Sequence, residues 1–328
     1  MSRSRLVAAL CVVVASACGD DRDAAAFRVA LLTPGSIADG GWNAGAYEGL
    51  REIRERLGAE VRHVETRTPA EFEEGFRDFA GRGYTLVFGH GFEYQEAAAR
   101  VGAEFPETVF ITTSGDTVRS NVAPMVFELE QATYLCGVLA ARMTETGRIG
   151  LIGGIDLPSI RSTFQAFRGG VSATRSDVEV REVFIGNFDD TAAAREAALA
   201  LLEEGADLLL HQANAAGRGV FRAVSDRAAA GARVFAFGIN RDQNAMAPEV
   251  VLASATLDIP AAFVEVATRV REGRFTAEPV RLGMNEGIVH LVLNPRLRAR
   301  IPAATLDEID RIEASIRSGE LVVPRGAF

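Results

Sequence analysis

Along most of the chain, short apolar runs alternate with longer stretches in which apolar residues recur every three or four positions. A strand covered on both faces is apolar throughout, whereas a helix lying on a sheet needs only one apolar stripe, so this alternation predicts parallel βαβ units and an α/β fold. Strands are expected at 27–32, 61–64, 85–88, 109–112 and 125–127, and again at 148–152, 179–184, 207–211, 233–237 and 251–255. The two sets of five suggest two similar lobes. Helices are expected near 43–57, 70–81, 94–104, 129–144, 159–174, 190–204, 217–230 and 259–272, with stops at Gly58, Gly81, Gly147, Gly205, Gly231 and Gly273. Toward the carboxyl end, 279–282 and 287–293 read as strands around a turn at Asn285-Glu286, and 305–318 as a closing helix. No proline- or serine-rich linker separates the sets, which favours interwoven lobes over beads on a string.

The amino terminus breaks this pattern. Arg3 and Arg5 precede an apolar run at 6–17, the length of a signal-peptide core and too short to span a bilayer. Ala15-Ser16-Ala17-Cys18 then reads as a lipobox, with alanine where leucine is usual, so that Cys18 would be lipidated and become the new amino terminus. The other reading is ordinary cleavage after Ala17, which leaves Cys18 a free thiol. Residues 18–26 would form a polar tether. The expected organisation is a signal peptide at 1–17, that tether, a first lobe of 27–127 plus about 258–281, and a second lobe of 128–257 plus about 282–328. The chain would be exported and held to a membrane by its lipid, facing the periplasm or the cell exterior.

At 328 residues there is material for two domains, and a net charge of -9 without any arginine-rich block argues against nucleic acid. Every basic residue is arginine, which rules out Schiff-base and lysine-base chemistry. Beyond Cys11 and Cys18 only Cys136 remains, so no internal disulfide is expected, and the scattered histidines show no metal-site spacing. Glycine-rich phosphate loops, G-x-S-x-G and H-E-x-x-H are all missing, and no nucleophile can be paired with a base. Neither a cofactor nor a metal is expected, and the chain does not read as an enzyme.

In an open α/β sheet, ligands bind beyond the carboxyl ends of the strands. The residues just after the first-lobe strands are Asp39, Trp42 and Asn43, then His90, Phe92 and Glu93, then Asp116. In the second lobe they are Phe188, then Asn214, then Asn240, Asp242 and Gln243. Aromatics from opposite lobes could sandwich a flat ring while acids and amides read its edge, an inventory that suits a purine nucleoside, with Asp242 and Gln243 toward the ribose. Each residue also has a structural reading as a turn former, helix cap or core member.

The runs D-G-G-W-N-x-x-A-Y-E-G-L at 39–50, G-F-E at 91–93, F-E-L-E-Q-A-T-Y-L-C-G at 127–137, G-R-I-G-L-I-G-G at 147–154, G-A-D-L-L-L at 205–210, G-R-G-V-F at 217–221 and R-D-Q at 241–243 together resemble the basic membrane protein family, the nucleoside-binding lipoproteins of bacterial ABC importers. The resemblance implies a type I periplasmic-binding-protein fold: two Rossmann-like parallel-sheet lobes joined by a three-crossing hinge and closing over the ligand. It implies a monomer that captures a purine nucleoside and delivers it to an ABC permease. Carried over by position, Trp42 and Phe188 become the stacking pair and Asp116 the acid that reads the purine edge, with Asp39 and Asn43 matching the family's loop. The family usually has an acid where Asn240 stands and a lysine near Leu257, both at the ribose end. A free purine base or another small polar solute is therefore an alternative ligand, and a ligand sensor signalling to a membrane partner an alternative role.

Overall fold

The computed structural model describes residues 26–326. Cys11, Cys18 and the expected signal peptide lie outside these residues. Among them, the first sheet is built from β1 (Arg28–Thr33), β2 (Glu60–Glu65), β3 (Leu86–Gly89), β4 (Val109–Thr113), β5 (Val122–Phe127) and β11 (Val280–Leu282), in the order β11-β5-β4-β3-β1-β2. The second contains β6 (Arg148–Gly153), β7 (Glu179–Phe184), β8 (Leu208–Gln212), β9 (Phe235–Asn240), β10 (Val251–Leu257) and β12 (Val289–Leu293), in the order β12-β10-β9-β8-β6-β7. The two orders are the same pattern. They differ in the last strand added: β11 runs parallel to β5, whereas β12 runs antiparallel to β10.

Among the described residues, eight helices lie between strands as the periodicity requires, α1 (Trp42–Leu57), α2 (Pro69–Gly81), α3 (Gln95–Glu104), α4 (Glu130–Met143), α5 (Pro158–Thr174), α6 (Thr191–Glu203), α7 (Gly217–Ala229) and α8 (Ile259–Arg271), and α9 (Ala303–Arg317) follows the last described strand. Helix α1 buries Asn43, Ala46, Leu50 and Ile53 on one face and turns its arginines outward. Helix α2 starts at a full capping box, Thr68 with Glu71, and Pro69 sits where its missing N–H is not needed. The expected stop at Gly81 falls inside α2; the left-handed residue that turns the chain is Gly83, at φ 78°.

The chain leaves the first sheet after β5, returns after β10 and crosses again between β11 and β12, so both sheets are closed by segments from the far end of the sequence. Helix α4 begins at the first of these crossings and is buried along nearly its whole length. It packs against α5 so closely that a Cβ on Gly137 would meet the Phe167 carbonyl oxygen at 2.1 Å, and one on Gly170 the Tyr134 carbonyl oxygen at 2.1 Å. Cys136 is buried in this helix, and burial pushes its thiol well above the ordinary range, so it packs as a small apolar residue. One apolar cluster runs from β1 through α4 and α5 to β9 and α8, tying the two sheets together.

Candidate functional site

A cavity of about 500 Å³ opens between the carboxyl ends of the two sets of strands. On the first-sheet side it is lined by Trp42 and Asn43 at the start of α1, Phe92 and Glu93 after β3, Ser114 after β4 and Phe127 at the end of β5. Asn187 and Phe188 after β7, Gln212 and Asn214 at the end of β8, Asn240 at the end of β9 and Leu257 at the end of β10 line the other side. Leu129 and Glu130 at the crossing, with Ile160 and Thr163 of α5, form the remaining wall.

Trp42 is half-buried and braced from behind. His90 stacks on its rear face at 4.1 Å and 21° between rings, and Phe127 meets it edge-on at 5.8 Å. The Trp42 carbonyl can only accept, so the His90 Nε2 at 3.0 Å carries the proton and Nδ1 accepts from the Thr113 hydroxyl at 3.1 Å. Complete burial pushes the His90 pKa down to about 3, which keeps the ring neutral. His211 is buried in β8 of the second sheet, edge-on to Phe221 at 4.9 Å. Its Nε2 donates to Gln243 Oε1 at 3.1 Å, and burial holds its pKa near 4.

The strand ends carry backbone strain where the cavity is. Among the described residues, the non-glycine positions with left-handed φ are Ser114 (78°), Asn214 (48°) and Asn240 (64°), and each of them lines the cavity. Such conformations cost on the order of 1–3 kcal/mol and cluster at binding sites, and asparagine tolerates them best. Buried oxygens without a partner in the chain gather there as well. Asn43 Oδ1, Asn240 Oδ1 and Glu130 Oε2 are three such atoms, all on cavity-lining residues. An unpaired buried acceptor costs about 1–3 kcal/mol, and these three are open acceptors on the cavity wall.

Of the residues expected from the strand ends, Trp42, Asn43, Phe92, Phe188, Asn214 and Asn240 are brought together on this cavity. Asp39, His90, Asp116, Asp242 and Gln243 are not on its lining, for identifiable reasons. Asp39 is saturated: Oδ1 accepts from the N–H groups of Gly41 and Ala44 at 2.9 and 3.0 Å, and Oδ2 from Asn43 N at 2.9 Å and Asn214 Nδ2 at 2.7 Å. It caps α1 and ties that helix to the second lobe. His90 is the brace behind Trp42. Gln243 Oε1 is occupied by His211 and by the Ile239 N–H at 2.9 Å. Asp242 is exposed and accepts from Asn244 N at 2.9 Å. Asp116 is exposed two residues beyond Ser114, its backbone N–H donating to Gln95 Oε1 at 2.9 Å.

The residue that the strand-end logic omitted is Glu130, which reaches the cavity from a helix start. A glutamate opening the otherwise apolar run at 130–143 is the one signal that marks it. Among the described residues no group of histidine, cysteine and acidic side chains is arranged to hold a metal, and no helix is long and apolar enough to cross a membrane.

A family model described as ABC transporter substrate-binding protein PnrA-like matches residues 26–326. The "ABC transporter nucleoside-binding protein BmpA" of Lactococcus lactis is 24% identical over 318 residues, covering 90% of this chain and 89% of that protein. A "Purine-binding protein" of Brucella abortus is 24% identical over 297 residues, covering 90% and 82%. Among solved structures, an ABC transporter solute-binding protein of Aeropyrum pernix superposes with a TM-score of 0.82 over 91% of this chain and 94% of its own, at 24% identity, a likeness of fold.

Proposed function

The chain belongs to the PnrA-like family of ABC transporter substrate-binding proteins, and from that premise we propose that it captures a purine nucleoside, or a related purine, in the cavity between its lobes. Members of this family act outside the cytoplasm, bind a small molecule and present it to a membrane permease; its relatives are solute-binding proteins rather than enzymes. What supports the purine is the pairing of flat and polar surface on one cavity. Trp42 offers the ring face that His90 does not cover, Phe188 lines the opposite wall, and the unpartnered oxygens of Asn43 and Asn240 await donors. Stacking of a base on an aromatic contributes on the order of 1–3 kcal/mol, and edge hydrogen bonds supply the selectivity. The names of the two sequence relatives point the same way.

Asn240 and Leu257 line the cavity from neighbouring strands; by the resemblance, the family usually has an acid where Asn240 stands and a lysine near Leu257. If the ribose lies there, its surroundings are neutral to apolar, which leaves a free base as a competitor for the nucleoside. The remaining parts of the reading are a monomeric protein, anchored by a lipid on Cys18. Titration calorimetry with adenosine, guanosine, inosine and the free bases tests the ligand: a saturable heat with a purine is expected, and none with any of them overturns the reading.

A further inference from the structure

We propose that Glu130 is a specificity-determining residue of this cavity, its Oε2 accepting a hydrogen bond from a ring N–H or exocyclic amino group of the ligand. The inference rests on the purine reading and adds which edge chemistry the cavity demands.

Glu130 is the first residue of α4 and only 2% exposed, yet it forms part of the cavity wall. Its two oxygens have different surroundings. Oε1 accepts the Ser162 hydroxyl at 2.5 Å and lies 3.5 Å from the Arg325 guanidinium. Ser162 Oγ itself accepts the Gly326 N–H at 2.9 Å, so the carboxyl-terminal tail directs the single serine proton at Glu130. Oε2 is buried and has no partner in the chain. A carboxylate oxygen left in that state is costly, and an N–H from the ligand removes the cost. A ligand of the same shape without that donor leaves the oxygen unpaired, and sites built this way discriminate strongly.

The surroundings also set the charge. Burial pushes the Glu130 carboxyl up to about 7, against the pull of the Ser162 hydrogen bond; Glu128 from the preceding loop raises it further and Arg281 on β11 lowers it, and the Arg325 guanidinium beside Oε1 pulls in the same direction as Arg281. Glu93 faces the cavity from the opposite wall, and its carboxyl is also raised by burial. Unliganded Glu130 therefore holds a proton for part of the time at neutral pH. An N–H donor favours the ionised form, so binding expels that proton and affinity rises with pH through 7 before levelling off. His90 and His211 stay neutral throughout this range.

The test is calorimetric titration of the purified chain from pH 5.5 to 8.5, in two buffers of different ionisation enthalpy. The ligands are adenosine and purine riboside, which lacks the amino donor without added bulk, and inosine and 1-methylinosine, in which a methyl replaces the ring N–H; the first pair separates the loss of a donor from a steric clash. For the purine that binds, affinity is expected to fall about tenfold from pH 8.5 to 5.5, with proton release on binding, and the analogue lacking the donor to bind about tenfold or more weakly. Glu130→Gln, checked for folding by its thermal melt, should abolish the pH slope. A flat profile in the parent chain, an analogue bound equally well, or a slope that survives in Glu130→Gln and so belongs to Glu93, each overturns the assignment while leaving purine binding intact. Failure of every purine to bind the folded parent chain overturns both. If that variant does not fold, Glu93→Gln decides instead: a pH slope that it abolishes belongs to Glu93 and overturns the assignment, and one that it leaves intact belongs to Glu130.

Discussion

The two walls of the cavity are topological equivalents built to different rules. In the first lobe the recognition surface is an aromatic ring held in place: Trp42 stacks on His90, is met edge-on by Phe127, and its backbone is tied to His90 and to Asn214. In the second lobe the surface is a row of amides on strained backbone, Asn214 and Asn240, beside a phenylalanine that rests against Gly154. A braced ring is pre-organised and loses little freedom when a ligand stacks on it, whereas strained amides hold donors and acceptors at fixed points. On the proposed purine reading, the first wall would supply mainly adhesion, and the amides of the second would add to the edge selection assigned to Glu130.

Truncating the rings tests that division with the largest effect. Trp42→Ala is expected to weaken purine binding by about 1–3 kcal/mol, roughly 10- to 100-fold, because the stacking face is lost. It should also lower the melting temperature, since His90 and Phe127 lose their partner. Phe188→Ala should weaken binding with a smaller loss of stability. Calorimetry and thermal melts on both variants decide it; equal destabilisation by the two would mean that the second wall is braced as well.

The buried histidines give the next effect, in acid. His90 and His211 ordinarily titrate near 6.5 and are depressed to about 3 and about 4 in the fold. Below pH 6.5 the unfolded chain takes up a proton that the folded chain refuses, so the stability each ring confers is complete above 6.5 and is lost as pH falls toward its folded value. Each contributes a slope of about 1.4 kcal/mol per pH unit in that window. Glu130 works in the opposite direction between 4.5 and 7, so the comparison must be against variants. Urea unfolding of the parent chain and of His211→Asn should show a stability difference that shrinks by about 1.4 kcal/mol per unit from pH 6 to 4.5. The corresponding difference for His90→Asn should go on shrinking below pH 4. A difference independent of pH would mean that neither wall excludes water from its histidine.

How far these walls can be read from sequence depends on how each residue is placed. Strands announce themselves because both faces are covered, so β1 and β8 are apolar runs, and the residues just beyond them must lie at the sheet's edge. That logic reaches Trp42, Phe188, Asn214 and Asn240. It cannot tell an acid that faces a ligand from one consumed by the backbone, and Asp39 is consumed by capping α1. It also cannot reach Glu130, which arrives from a helix start through the packing of α4 on α5, or the role of Ser162, which depends on a tail 164 residues away in sequence. The parallel β11 and antiparallel β12 are equally hidden, since both read as strands around a turn at Asn285-Glu286 and only the path of the last crossing places them in different sheets and sets their directions.

The smallest expected effect concerns what holds the walls together. Asn214 of the second lobe donates to Asp39 and accepts from the Trp42 N–H at 3.2 Å, Arg218 donates to the Asp39 carbonyl at 3.1 Å, and Arg241 pairs with Glu48 at 3.0 Å, all across the cleft. These bonds differ in weight. Arg241 and Glu48 are 36% and 44% exposed, so water and salt screen their attraction, and such a pair contributes about 0–1 kcal/mol. Asn214 by contrast donates to a buried carboxylate, where a bond to a charged group is worth about 1.5–3 kcal/mol. Arg241→Ala should therefore shift the balance between closed and open lobes by no more than about 0.5 kcal/mol, a change of roughly twofold in population that 0.5 M salt erases. Small-angle scattering or a fluorophore pair spanning the cleft reads it without ligand. A larger, salt-resistant opening would show that the arginine is buried in the closed form, and that the selecting wall is held to the adhesive one by charge as well as by the amide of Asn214.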